Sequence, residues 1–187
     1  MSTELRFTIH DLELLPDNGN RYEIIDGELY VSTQPHWRHQ FASGQMFRAL
    51  QTWDEQEGAG LAIEAPGVIF RADEAVAPDL VWISRERLDR VLGDDGKLHA
   101  APDLIVEILS PGPRNEERDR EVKLKLYSRQ GVREYWIVDW RDLTLQVYRR
   151  EQTVLHHVAT LTAEDTLTSP LLPGFAWPVA GLKAAPL

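Results

Sequence analysis

The chain has 187 residues, 43% of them hydrophobic and 27% charged, with a formal net charge of −10 and no cysteine. Such a length suits one domain with a proper core, expected here over 1–187 with its core at about 8–180, and is short for two. The acidic balance argues against coating nucleic acid through bulk positive charge, and the absence of cysteine excludes disulfides, zinc–thiolate sites and a cysteine nucleophile. No stretch reaches the roughly 18 consecutive apolar residues of a membrane span. The opening Met1-Ser2-Thr3-Glu4-Leu5-Arg6 lacks the basic-then-apolar order of a secretory leader, so a cytoplasmic location is expected.

The first element is a short amphipathic helix, Thr8 to Leu15, with Thr8 as its cap and Pro16-Asp17-Asn18-Gly19-Asn20 as its stop. Tyr22–Ile25 and Glu28–Val31 flank Asp26-Gly27, the strongest short-range hairpin signal. From Trp37 to Glu57 apolar residues recur every three to four positions, which predicts a long helix ended by Gly58-Ala59-Gly60. Leu61 to Phe70 reads as a strand broken at Pro66-Gly67, and Asp79 to Ile83 as a short buried strand. Arg85 to Ala101, charged and carrying Gly93 and Gly96, predicts a short helix and then an exposed loop.

Leu104–Leu109 is the most apolar strand candidate and Ser110-Pro111-Gly112-Pro113 closes it. A helix from Glu116 to Gln130 with Gly131 as its stop leads into a second buried strand, Glu134–Asp139. Strand, helix, strand is the signature of a βαβ unit. Leu143–Arg149 and Thr153–Ala159 alternate as a closing hairpin, and the proline-bearing tail reads as irregular. The whole predicts a mixed α/β domain, a mixed central sheet flanked by helices, with an N-terminal β-hairpin.

Two residues break this pattern. Glu107 stands inside the apolar Leu104–Leu109 strand and Asp79 opens another buried strand. A buried carboxylate is costly unless it is paired, protonated or bound to a cation, and breaks of this kind mark sites. For Glu107 the structural readings are an ion pair with an arginine on a neighbouring helix or a place facing solvent at a sheet edge; the functional one is a bound cation. Two carboxylates at neighbouring strand ends repel, and Mg²⁺ or Mn²⁺ with hard oxygen ligands relieves that repulsion. Such an ion lowers the pKa of water and stabilises charge on a phosphate, and a nearby lysine would add a second positive charge.

Ala77-Pro78-Asp79-Leu80-Val81 followed by Pro102-Asp103-Leu104-Ile105-Val106-Glu107-Ile108-Leu109-Ser110-Pro111 resembles the two acidic motifs of the PD-(D/E)xK nuclease superfamily, and the detail resembles its Uma-type branch. Tyr22–Glu28 is similar to that branch's opening hairpin, and His39-Gln40 to its next landmark. Asp119, Lys123 and Tyr127, then Gly131–Asp139, resemble its helix and strand, and Ser169–Phe175 its ending. Six motifs in order carry the resemblance across about residues 8 to 180.

The resemblance implies a restriction-endonuclease-like core and metal-dependent hydrolysis of phosphodiesters, with DNA as substrate. It implies Asp79, Glu107 and the carbonyl of Ile108 as metal ligands, Glu23 and His39 in support, and a homodimer. The superfamily's lysine ordinarily follows its glutamate by two residues, where this chain has Leu109. The resemblance transfers that role to Lys123 on the next helix, with Lys125, some 200° round the helix, as the other choice. Two readings from other classes stand beside it: a nuclease fold without catalysis that binds nucleic acid, and a dimeric interaction protein with structural carboxylates.

Other residues carry weaker signals. Asp103 lies about 13 Å from Glu107 at strand rise, too far to share an ion, and suits a backbone contact. Arg21 suits a pairing with Glu23. His36 and His39, one turn apart, lack a third ligand, and Trp53, Trp82, Trp136 and Trp177 read as core. Between Arg114 and Arg133 seven basic residues outnumber four acidic ones, a solvated helix or a phosphate track.

Overall fold

The computed structural model describes residues 5–184; Met1–Glu4 of the opening and Pro186 of the tail, both read above, lie outside the described residues. After α1 (Ile9–Leu14) come β1 (Arg21–Ile25) and β2 (Glu28–Ser32), paired antiparallel from Arg21↔Ser32 to Ile25↔Glu28. Asp26 and Gly27 at the tip both have positive φ, 52° and 77°, which matches the right-handed twist of the strands and suits the Asp-Gly pair. The helix α2 spans Trp37–Glu57. It is followed by β3 (Gly60–Glu64), β4 (Val68–Arg71), β5 (Glu74–Val76), β6 (Leu80–Ser84) and α3 (Arg85–Val91).

Strand β7 (Leu104–Ile108) is buried at every position. It leads through α4 (Pro113–Glu117), a π turn (Arg118–Val122) and α5 (Lys123–Gln130) to β8 (Glu134–Asp139). Gly131 ends α5 at φ 88°, left-handed backbone that favours glycine. The long hairpin β9 (Thr144–Glu151) and β10 (Val154–Leu161) precedes β11 (Thr166–Ser169), β12 (Leu172–Pro178) and a 3₁₀ turn at Val179–Leu182.

A six-stranded sheet in the order β10-β9-β8-β7-β6-β3 forms the centre, and only its β7–β8 pair is parallel, as the helical crossover requires. One face packs on α2 and on the β11–β12 pair through Met46, Leu50, Val106, Trp136 and Phe175. The other face packs on α5, α3 and a second sheet, ordered β2-β1-β5-β4, through Ile25, Val81, Ile105, Tyr127 and Tyr135. Strands covered on both faces read as continuous apolar runs, as β7 and β8 do. The fold is the mixed α/β arrangement expected. Among the described residues no helix is long and apolar enough to cross a membrane.

Leu61–Phe70 breaks around Pro66-Gly67 as expected, and because Ala65 turns left-handed at φ 46° its halves, β3 and β4, join different sheets. Three expectations need correction. The segment after α3 is not wholly exposed, since Leu98 is buried and bridges Val68 and Leu92. The helix before β8 starts at Pro113, a residue suited to a first helical position, and is interrupted by the π turn. The tail is ordered: β11 and β12 pair antiparallel, with Pro173 and Pro178 in β12 of a two-stranded sheet, where a missing N–H is tolerated.

Candidate active site

The long strands set the frame. Asp79 immediately precedes β6 and Glu107 is the fourth residue of β7. The β6–β7 register pairs Leu80 with Val106, so two residues further on Pro78 stands opposite Ile108. Proline has no N–H to give the ladder, and the Ile108 N–H donates to Asp79 Oδ2 at 2.9 Å instead of to the facing carbonyl. In an extended strand the N–H and C=O of one residue point to the same edge, so the Ile108 carbonyl faces the same gap with no backbone donor opposite.

Asp79 is 7% exposed and fully engaged. Arg21 Nη1 lies 2.7 Å from Oδ1, and His39 Nε2, from the first turn of α2, lies 3.2 Å from Oδ2. Burial would raise its pKa, but His39, Arg21 and the Ile108 N–H hold it well below the usual carboxylate range. Burial works against charging the His39 ring, yet Asp79 outweighs it and holds that pKa above its ordinary value.

Glu107, 2% exposed, stands opposite Asp79 in the β6–β7 register, so the two carboxylates share one face of the sheet. Its Oε1 accepts from Lys123 Nζ at 2.9 Å and from the Tyr127 hydroxyl at 2.7 Å. No hydrogen bond from a described residue reaches Oε2, and that oxygen is not sealed from solvent. Burial pushes the Glu107 carboxyl up to about 7; Lys123 opposes this, and the negative charges of Asp79, Asp119 and Glu23 add to it.

Lys123 is 1% exposed and stands among three carboxylates: Glu107, Glu23 Oε1 at 3.0 Å and Asp119 Oδ1 at 3.8 Å. Burial would lower its pKa, but those three acids, Glu107 foremost, hold it above the ordinary value, so the ammonium is permanent. It is therefore no surface partner of Asp119. Lys125, by contrast, is exposed. Glu23 also accepts the Ala77 N–H at 2.9 Å, which ties the hairpin to the backbone just ahead of Asp79. The π turn, wider than an α-turn, presents consecutive residues inward: Asp119 toward Lys123, and Arg118 toward Ser32 Oγ at 2.6 Å and Asp119 Oδ1 at 3.0 Å.

These groups surround a cleft of about 120 Å³ lined by Asp79, Glu107, Ile108, His39, Arg21 and Arg118 among others. Lys123 does not line it, and its ammonium lies behind Glu107. The sequence offers Arg118 as a phosphate contact only against a default of surface solvation, and Arg21 as a partner for Glu23; the structure pairs Arg21 with Asp79 and sets both arginines at the cleft. The period of a strand could have found Arg21, since it shares a face with Glu23; nothing in the sequence announces the π turn that brings in Arg118.

The donor set fits an oxygen-liganded divalent ion: two carboxylates, one with a free oxygen, and an uncommitted carbonyl. Among the described residues no three His, Asp or Glu side chains could hold an ion unaided. The chemistry is that of Mg²⁺ sites, which use one or two carboxylates and complete the shell with water and phosphate oxygens. Elsewhere the expectations divide. Asp103 accepts the Ser84 N–H at 2.9 Å and pairs with Arg87 and Arg133, a structural clamp. Arg129 pairs with Asp26 and Glu74 rather than facing the cleft. His156 and His157 are exposed, and Trp82 and Trp136 are core.

None of the curated proteins matches this chain. Among solved structures it is similar to a "putative nuclease belonging to DUF820" from Anabaena variabilis, at a TM-score of 0.76 and 18% identity, over 94% of this chain and 97% of that one. At that identity the likeness speaks for the fold, a restriction-endonuclease-like nuclease fold. The family model described as "Uma2: Putative restriction endonuclease" matches residues 9–180, from the first residue of α1 into the final 3₁₀ turn. A match that takes in both sheets, the crossover helices and every residue around the cleft makes this chain a member of the Uma2 family.

Proposed function

We propose that the protein is a Mg²⁺- or Mn²⁺-dependent endonuclease that hydrolyses phosphodiester bonds, with DNA as its substrate. It would act in the cytoplasm as a single nuclease-like domain that pairs into a homodimer, since cutting both strands of a duplex takes two sites. The observation that carries the reading is the free Glu107 Oε2 beside Asp79 and the Ile108 carbonyl in one recessed cleft. Asp79, Glu107 and Ile108 would hold the ion. When bound there, it would lower the pKa of water and neutralise charge on the phosphate.

The remaining work falls to the protein's own groups. Four carboxylates, Glu23, Asp79, Glu107 and Asp119, face three permanent cations, Arg21, Lys123 and Arg118. The charges of Asp79, Asp119 and Glu23 add to the raised Glu107 pKa, and a cation at Oε2 would relieve that repulsion. Arg118 and Arg21 line the cleft where a phosphate would enter, and a guanidinium suits paired phosphate oxygens. Lys123 fixes the Glu107 carboxylate through Oε1, leaving Oε2 toward the cleft, and sets a positive charge one carboxylate away from the phosphate. His39, hydrogen-bonded to Asp79, orients that carboxylate as a supporting residue.

Calorimetric titration of Mg²⁺ and Mn²⁺ into the wild type, Asp79→Ala and Glu107→Ala, followed by plasmid nicking with the same samples, tests the reading. Binding in the wild type that both variants lose, with nicking that follows it, is the expected result. A folded wild type that binds neither ion at millimolar concentration sinks the enzyme. Retained DNA binding without nicking would favour the non-catalytic binding module.

A further inference from the structure

The cleft, about 120 Å³, is lined by charged and polar groups suited to a phosphate. With a phosphate and its cation inside, the attached base can reach the rim. On that rim three aromatic rings stand in a row. Pro35 and Ser110 line the cleft; His36 follows Pro35, and Trp140 donates from Nε1 to the carbonyl of Leu109, next to Ser110, at 3.1 Å. The His36 ring is stacked on Trp140, centroids 5.1 Å apart and planes within 7°. Trp37 continues the row at 5.8 Å and 29°. The Arg38 guanidinium lies 5.2 Å from the Trp37 ring centre.

Part of this row has a structural task. His36 accepts the Arg38 N–H at 3.1 Å and so caps α2, and its contact with Trp140 fastens that cap to the end of β8. Trp37 has no such task. It is the first residue of α2, 49% exposed, and it extends the row outward. The Trp37 ring has His36 stacked against it and the exposed Arg38 guanidinium over it, so its π-face opens to an unpaired base when the guanidinium moves onto the adjoining phosphate. A base inside a duplex is already stacked on its neighbours and has no free face.

We propose that Trp37 and Arg38, at the outer end of the His36–Trp140 stack, form a stacking platform for an unpaired base, so that the substrate is single-stranded nucleic acid or the unpaired part of a duplex. This rests on the nuclease reading for the position of the phosphate, but not on turnover. The indole takes the base and the guanidinium the adjoining backbone, while the phosphate beyond it enters the cleft beside Arg118.

The test is fluorescence anisotropy with a labelled oligothymidylate 12-mer and a blunt hairpin duplex of equal charge, with Ca²⁺ in place of Mg²⁺ so that binding is read without cleavage. Wild type, Trp37→Phe and Trp37→Ala are compared, each first shown to unfold at the same urea midpoint. The expected result is preference for the single strand, kept by Trp37→Phe and weakened about ten-fold in Trp37→Ala, with the weak duplex affinity unchanged. Equal single-strand affinity in wild type and Trp37→Ala, or a wild type that prefers the hairpin, overturns the proposal. If Trp37→Ala loses the single strand while the wild type cuts neither the plasmid nor the oligothymidylate in Mg²⁺, the platform stands and the nuclease reading falls.

Discussion

Lys123 shows what burial does to a charge. Its ammonium, 1% exposed, is compensated by Glu107, Glu23 and Asp119 from three different elements. Removing one partner of a buried ionic cluster leaves the others uncompensated, which costs more than the cluster contributes. Lys123→Met should therefore destabilise the protein by about 3–5 kcal/mol, read from urea denaturation. Lys125→Met, two residues on but exposed, should stay within about 0.5 kcal/mol. Equal effects would mean that the cluster is open to solvent and that the placement of Lys123 behind Glu107 is wrong. The comparison separates two lysines that the sequence could order only by a family-like row of Asp119, Lys123 and Tyr127.

Elements are held to one another by a few such ties, and Asp103 is the clearest outside the cleft. Placed just before β7, it takes the N–H of Ser84 at the end of β6 and pairs with Arg87 of α3 and Arg133 ahead of β8. Burial would raise its pKa, but the Ser84 N–H and Arg87 outweigh this and hold it below 3.8. A carboxyl whose folded pKa is depressed contributes stability that is full above the unfolded value and is lost as the pH falls through the folded one. Asp103→Asn should thus be less stable than wild type at pH 6, with the gap closing as pH falls below about 3.8, measured by urea midpoints across that range. A gap that stays constant with pH would assign the loss to packing alone. Such ties also bear on what was legible. The Asp-Gly hairpin, the Trp37–Glu57 helix and the βαβ unit followed from local pattern, because turn chemistry and periodicity are local. The π turn and the β11–β12 pair did not, because the first depends on which side chains the core accepts and the second on a sheet edge far along the chain.

For the whole molecule, a net charge of −10 sets the terms on which a polyanion can approach. Asp79 and Glu107 were legible as a site because each broke an apolar strand, whereas the cleft's cations were not, because Arg21 and Arg118 look like ordinary surface residues until the fold buries their partners. Those partners matter for binding. Arg21 is committed to Asp79, Arg118 to Asp119, Arg129 to Asp26 and Glu74, and Arg133 to Asp103. The excess of basic residues between Arg114 and Arg133 is thus largely spent inside the protein. Among the described residues few guanidinium groups near the cleft are free of an ion pair, the exposed Arg38 and Arg114 being two. Each phosphate neutralised on a single strand contributes about −0.7 to the slope of log K against log salt. Two or three contacts predict a slope near −2, shallow for a nucleic-acid-binding protein. Titration of the oligothymidylate at several KCl concentrations and fixed Ca²⁺ reads it directly. A slope steeper than about −5 would require a basic track of many phosphate contacts, which ion pairs with the neighbouring acids leave no room for, and those arginines would have to release their partners on binding. Arg38→Ala should make the slope shallower by about one contact, since it removes a cation that no carboxylate among the described residues holds in place.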